Sequence, residues 1–152
     1  MGIGKPYKKL MGVGMPEAVI FKHQGKVYTV YFARPQAMLP VRLANGEVKL
    51  AAWGRRQHEN SEMPLGGWAR LDAIHGGKWS LYTPKPVCVP VTKFMKTDYE
   101  GKVHWYDITK GQYIQGLLAQ CEQEYRVYLV TIIPELLDVC HDRWPRIIAK
   151  AP

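Results

Sequence analysis

Short runs of alternating apolar and polar residues cover most of the chain. A period of two residues is typical of a strand with one buried face. Two turn signals separate consecutive runs, Gln24-Gly25 and Asn45-Gly46, and the second is the strongest short hairpin signal in the chain. The predicted strands are residues 19–23, 26–32, 40–44, 47–53, 78–82, 87–96, 102–108, 112–120 and 125–133.

Three segments depart from the strand pattern. Residues 1–17 are rich in glycine, lysine and proline and predict an irregular arm. Residues 55–67 are polar and then rich in proline and glycine, which predicts a loop, and residues 68–74 suit a short helix or a short strand. Many strands with few helices predict one α+β domain over residues 1–152, built on a mixed or antiparallel sheet with a few short helices.

The last predicted strand, residues 125–133, leads into the segment with the most chemical content. Pro134 suits the first turn of a short amphipathic helix that reaches Cys140. His141 then falls in a loop beside an arginine and a carboxylate, and Pro145 ends any helix there. A histidine on such a scaffold suits acid/base chemistry or anion contact. The alternative is a histidine and an arginine that only fix the end of the helix.

The composition argues against several classes of protein. No apolar run approaches the roughly 18 residues of a membrane span. The basic N-terminus has no apolar core behind it, so we expect neither a secretory signal nor a membrane contact. The cysteines are odd in number and lack metal-ligand spacing, so we expect reduced thiols in a cytoplasmic protein without metal or cofactor. They are Cys88, Cys121 and Cys140.

The charge favours a polyanionic partner. The chain carries a formal net charge of +8, and residues 22–56 hold seven basic residues against one acid, Glu47. Such an excess favours nucleic acid through counterion release. The alternative is a generally basic surface without a specific partner.

The segment His141-Asp142-Arg143-Trp144-Pro145 resembles the His-Asp-Arg-Met-Pro signature of the SOS-response-associated peptidase (SRAP) family. The resemblance recurs in order over residues 32–148 and implies that family's barrel-like sheet fold. Members bind single-stranded DNA and link covalently to abasic sites. They commonly continue beyond the signature, so the chain resembles a shortened member. The other matching segments are Pro35-Gln36, Pro40-Val41, Leu50–Gly54, Trp68–Asp72, Cys88–Pro90 with Phe94, Trp105–Ile108, Gly116-Leu117 and Val130-Thr131.

The resemblance implies a site whose chemistry has changed. The family's nucleophile is a cysteine after the initiator methionine, and Gly2 stands there. Glycine keeps the amine but lacks the thiol, so the stable thiazolidine cannot form. The catalytic glutamate falls at Lys96, a cation that cannot replace a carboxyl acid. The family's arginine and histidine carry over as Arg70 and His141, and its asparagine becomes Trp68.

Four arginines and three tryptophans are candidate contacts to nucleic acid. A guanidinium fork matches phosphate oxygens, although Arg70 has the alternative of an ion pair with Asp72. An indole face can stack on a base, although most tryptophans of a domain this size lie in the core. The candidates are Arg55, Arg56, Arg70, Arg143, Trp53, Trp68 and Trp144.

These observations predict an SRAP-like domain that binds single-stranded DNA or another nucleic acid without the cysteine chemistry. One alternative is an abasic-site lyase that uses the Gly2 amine or Lys96, with His141 as acid and base. Another is a non-catalytic protein-interaction module. The three differ in whether they bind nucleic acid and in whether borohydride traps a covalent adduct.

Overall fold

The computed structural model describes residues 15–133 and 143–149. This part of the chain is mostly β structure, with one five-residue helix, α1 (Leu71–His75), and one turn of 3-10 helix, Ser80–Tyr82. The strands in chain order are β1 (Ala18–His23), β2 (Lys26–Tyr31), β3 (Met38–Arg42), β4 (Val48–Ala52), β5 (Trp68–Arg70), β6 (Lys85–Val89), β7 (Lys93–Thr97), β8 (Val103–Asp107), β9 (Tyr113–Cys121), β10 (Glu124–Ile132), β11 (Trp144–Pro145) and β12 (Ile147–Ile148).

The smaller sheet has four antiparallel strands in the order β2-β1-β7-β8. Gln24 and Gly25 join β1 to β2, with φ values of 51° and 80°. Positive φ at both central residues suits the right-handed twist of a hairpin, so the predicted turn is confirmed. The register places Phe21 opposite Tyr28, and their rings stack with centroids 5.3 Å apart on the inner face.

The larger sheet has eight strands and mixed pairing. Its main order is β11-β10-β9-β6-β3-β4, β12 pairs with β9, and β5 runs parallel to β10. The Asn45-Gly46 turn joins β3 to β4 as predicted, with Gly46 at a φ of 87°. The hairpin of β9 and β10 has the longest strands, and these supply residues to both faces of the sheet.

Two apolar clusters lie on opposite faces of the larger sheet, because successive side chains of a strand point to opposite faces. The main cluster fills the space between the sheets and contains Val19, Phe21, Ala37, Leu39, Val41, Trp53, Val89, Val91, Phe94, Ile114, Val127 and Leu129. The second packs beside α1 and contains Met63, Ala69, Trp79, Leu117, Ala119, Tyr128 and Val130. Burial of these side chains is the main contribution to the stability of the fold.

The β-rich fold with few short helices is confirmed, but the barrel-like sheet is not, because the sheets do not close. In the described part of the chain the smaller sheet is separate, and an isolated bridge from Trp53 to Val127 links the β4 end to β10. The strand predicted over 78–82 is wrong, since that segment forms the 3-10 turn. The extended segment 87–96 divides at Pro90 into β6 and β7, which belong to different sheets.

The helix predicted to end at Cys140 lies outside the described residues, as do Gly2 and His141. No helix in the described ranges is long and apolar enough to cross a membrane. The same ranges hold no group of three or more potential metal-binding side chains.

Candidate nucleic-acid interface

Two of the predicted arginines meet at one threonine of the larger sheet. Parallel pairing of β5 with β10 sets Arg70 opposite Thr131. The Arg143 guanidinium donates from Nη2 to the Thr131 carbonyl oxygen at 3.0 Å, and from Nε and Nη2 to Oγ1 at 3.2 Å. Burial lowers the pKa of Arg143, and the charge of Arg70 acts in the same direction. Arg70 is thus paired through its backbone with the residue that Arg143 contacts.

Arg70 forms the ion pair with Asp72 that the sequence offered as its alternative role. Its Nε and Nη2 donate to the two carboxylate oxygens at 3.1 and 2.8 Å. This hydrogen-bonded pairing holds the pKa of Asp72 below its usual range. Both side chains are more than half exposed. An exposed pair of this kind contributes little to stability, so a phosphate can replace the carboxylate as the partner of Arg70.

A cavity of about 220 Å³ adjoins Arg143. Arg143 and Thr131 form part of its wall, and Asp72 contributes a carboxylate. Leu71 and two isoleucines, Ile132 and Ile133, supply the apolar part of the lining. Near Thr131 the structure thus has the buried guanidinium of Arg143, the exposed side chain of Arg70 on the neighbouring strand and a small cavity.

Lys96 is buried against an aromatic ring. Its side chain is 3% exposed, and its Nζ lies 4.4 Å from the centre of the Trp144 ring. Trp144 in turn packs edge-on against Phe94 and Tyr106. In this conformation the described residues leave little of Lys96 open to solvent.

The two tryptophans nearest the loop at 55–67 differ in how much of their ring surface is exposed for a base to stack on. Trp53 is fully buried and donates from Nε1 to the Gly67 carbonyl at 2.9 Å. It has no exposed face for a base, and the sequence prediction of stacking there is wrong. Trp68 is half-buried, donates to the Pro16 carbonyl at 2.7 Å and leans on Phe32. Trp68 therefore keeps part of its surface for a ligand.

Arg56 is buried in the loop, which corrects the prediction that it binds a backbone phosphate, whereas the phosphate contact of the half-buried Arg55 stays a prediction. Arg55 is half-buried and donates to the carbonyl oxygens of Met63 and Glu59. Arg56 is 6% exposed, and its guanidinium donates to backbone carbonyls and to the Glu59 carboxylate. Their donors are directed inward because the loop carbonyls there lie away from water.

Glu59 completes this buried network. Its carboxylate accepts from the Arg56 backbone N–H at 2.9 Å and from the guanidinium groups of Arg56 and Arg126 at 3.1 and 2.7 Å. Burial raises the pKa of Glu59, but these hydrogen bonds and the nearby positive charge outweigh it and lower the pKa from 4.5 to about 2. The ionised carboxylate therefore stabilises the folded state.

Acidification is expected to remove that stabilisation. Because the pKa of Glu59 is lower in the folded chain, its contribution is complete above about pH 5 and is lost as the pH falls towards 2. After allowance for solvent screening the loss is on the order of 1–2 kcal/mol. Urea unfolding at several pH values would measure it. Glu59→Gln should be less stable at neutral pH and lose less on acidification, and a parallel decline of both proteins would contradict this role.

The structure thus brings together Arg70 and Arg143 and leaves Trp68 on the same short strand as Arg70. Arg55, Arg56 and Trp53 instead form hydrogen bonds to backbone carbonyls of the loop and core. Thr131 was missed as the shared contact. A polar residue within the apolar run Val127–Ile133 was the available signal.

Comparisons with models of protein families, with curated proteins and with solved structures gave no match for this chain. The resemblance to the SRAP family therefore stays a prediction from the residues that carry it.

Proposed function

We propose that this domain binds single-stranded nucleic acid, as an SRAP-like protein without the cysteine-dependent crosslinking step. The observation that carries the proposal is the meeting of Arg70 and Arg143 at Thr131, with one exposed carboxylate, Asp72, beside them. An exposed guanidinium near a second positive charge favours an anion as its partner. The net charge of +8 adds long-range attraction for a polyanion.

The two arginines have different roles in this proposal. Arg143 is fixed by its bonds to Thr131 and supplies a stationary positive charge. Arg70 is exposed and exchanges the Asp72 carboxylate for a backbone phosphate. Trp68 lies two residues before Arg70 on β5 and therefore on the same face of the strand. A base next to the bound phosphate can stack on the open part of its ring.

The lyase alternative has less support from the described residues. A Schiff base at Lys96 would require the amine to leave the Trp144 ring and reach solvent. His141 and the Gly2 amine lie outside the described residues, so any imine chemistry would rest on them. Borohydride treatment with an abasic oligonucleotide separates the two functions. We expect no trapped adduct that depends on Lys96, and an adduct lost in Lys96→Met would favour the lyase.

Replacing Arg70 with glutamine is expected to weaken binding of a fluorescent oligothymidine about tenfold, because a charge-assisted contact to phosphate is lost. The slope of log affinity against log salt should also fall by about 0.7, the value for one phosphate contact on a single strand. Fluorescence anisotropy across a salt series measures both quantities. The control is Arg34→Gln, which removes an exposed arginine from another part of the surface. Equal losses in the two variants would point to general charge alone, and no binding by the wild type at low salt would remove the proposal.

Replacing Asp72 with asparagine should have the opposite effect. The substitution removes the carboxylate that competes with phosphate for Arg70 while keeping a side chain of the same shape. We expect binding to tighten about threefold at low salt, in keeping with the small worth of an exposed ion pair. The same anisotropy assay measures it. Unchanged affinity in Asp72→Asn would show that Arg70 does not contact the oligonucleotide. If the domain is a protein-interaction module, neither the variant nor the wild type will bind the oligonucleotide.

A further inference from the structure

A second cavity opens where two neighbouring strands of the larger sheet separate. β3 and β6 are joined by a single register pair, Arg42 opposite Cys88. After Arg42 the end of β3 turns away from β6 into the Asn45-Gly46 hairpin. In the described residues β6 continues beyond that pair with β9 as its partner. The resulting cavity has a volume of about 450 Å³. This volume lies within the range of about 300–1,000 Å³ that is typical of small-molecule sites.

The lining of this cavity is apolar except for two cations. These are Arg42 and Lys85, and the described residues that line it include no acid. The remaining lining residues are Leu43, Ala44, Gly46, Pro86, Val87, Cys88 and Leu118. Such a lining offers apolar surface to the body of a ligand and positive charge at two points.

Arg42 has unused capacity to donate hydrogen bonds. One terminal nitrogen donates to the Tyr113 hydroxyl at 2.8 Å, and the guanidinium lies 4.7 Å from the centre of the Tyr113 ring. Its Nε is buried and has no hydrogen-bond partner, and Arg42 forms no ion pair within the described ranges. Within the described residues only one terminal nitrogen of Arg42 donates a hydrogen bond, so the other terminal nitrogen is left to donate to an anion in the cavity.

We propose that this cavity binds a small amphipathic anion, with the anionic group on Arg42 and an apolar or aromatic body between β6 and the β3–β4 hairpin. Arg42 and Lys85 pair with the negative charge of the ligand, and the aliphatic wall contacts its apolar body. Carboxylates, sulfonates and phosphate monoesters share the chemistry that Arg42 recognises. The proposal concerns a different part of the larger sheet from the Arg70–Arg143 site and does not depend on nucleic-acid binding.

The test uses two dyes that share a ring body and differ in charge. The anionic dye is 8-anilinonaphthalene-1-sulfonate, and the neutral one is N-phenyl-1-naphthylamine. In fluorescence titrations of the full chain, we expect Arg42→Gln to weaken the sulfonate about tenfold or more and to change the neutral dye less than about twofold. Equal weakening of both dyes, or of neither, would overturn the role of Arg42.

A second variant tests the position of the site without touching Arg42. Ala44→Trp at the exposed rim should fill the opening and abolish binding of both dyes, whereas the matched Ala33→Trp on another exposed turn should not. Retained binding in Ala44→Trp would overturn the cavity as the site. Because 8-anilinonaphthalene-1-sulfonate also binds partly unfolded chains, the near-UV circular dichroism spectrum of each variant must match that of the wild type. Arg70→Gln should leave dye binding unchanged, which separates this proposal from the nucleic-acid site.

Discussion

Replacing Arg56 with methionine is expected to lower the free energy of unfolding by about 3–5 kcal/mol, the cost of removing one partner from a buried charged network. The guanidinium donates to the carbonyl oxygens of Phe32 at 2.7 Å, Trp53 at 2.6 Å and Gly54 at 3.2 Å. It also pairs with Glu59 and lies over the Phe32 ring. Methionine preserves much of the apolar stem but leaves these acceptors without a donor.

Chemical denaturation followed by tryptophan fluorescence would measure this loss. Arg34→Met is the matched control, because Arg34 is exposed and its removal should change stability by less than about 0.5 kcal/mol. The variant should bind an oligonucleotide within about threefold of the wild type under conditions where it is folded. A stable Arg56→Met protein that had lost binding would instead restore Arg56 as a nucleic-acid contact.

Local sequence was sufficient to predict the elements of the fold that depend on neighbouring residues. The turns at Gln24-Gly25 and Asn45-Gly46 were predicted because glycine accepts a positive φ. The division at Pro90 was not, because the extended run on both sides of it continues the same pattern although the two halves join different sheets. Pairing between sheets depends on contacts distant in sequence, which a local pattern does not encode.

The same limit applies to the candidate site. The pairing of Arg70 with Asp72 was one of the expected alternatives, since the residues are two positions apart. The inward direction of Arg56 depends on Phe32, 24 residues earlier, and that of Arg126 on Gly54, 72 residues away. A basic pair beside a polar loop looks the same in sequence whether its donors face solvent or a buried carbonyl. Burial therefore had to come from the three-dimensional structure.

The sequence pattern and the packing give different explanations for the glycine at position 54. In sequence it ends the strand that follows Asn45-Gly46. In the structure it has a φ of +54°, and a Cβ there would overlap the Gly66 carbonyl oxygen and lie 2.6 Å from the Gly67 Cα. The residue next to it, Arg55, exchanges two backbone hydrogen bonds with Gly66 at 2.9 Å. Gly54 thus lets the 55–67 loop fold back directly against the strand that precedes it.

Replacing Gly54 with alanine is accordingly expected to destabilise the protein by more than about 3 kcal/mol, from backbone strain and overlap together. The overlapping atoms belong to backbone, so a side-chain rotation cannot relieve it. Gly25→Ala is the matched control, because Gly25 has a φ of +80° and nothing within 4 Å of an added Cβ. Strain alone should cost it about 1 kcal/mol. Thermal and urea unfolding of the two variants would measure the difference, and equal losses would mean that the loop moves away from Gly54 without cost.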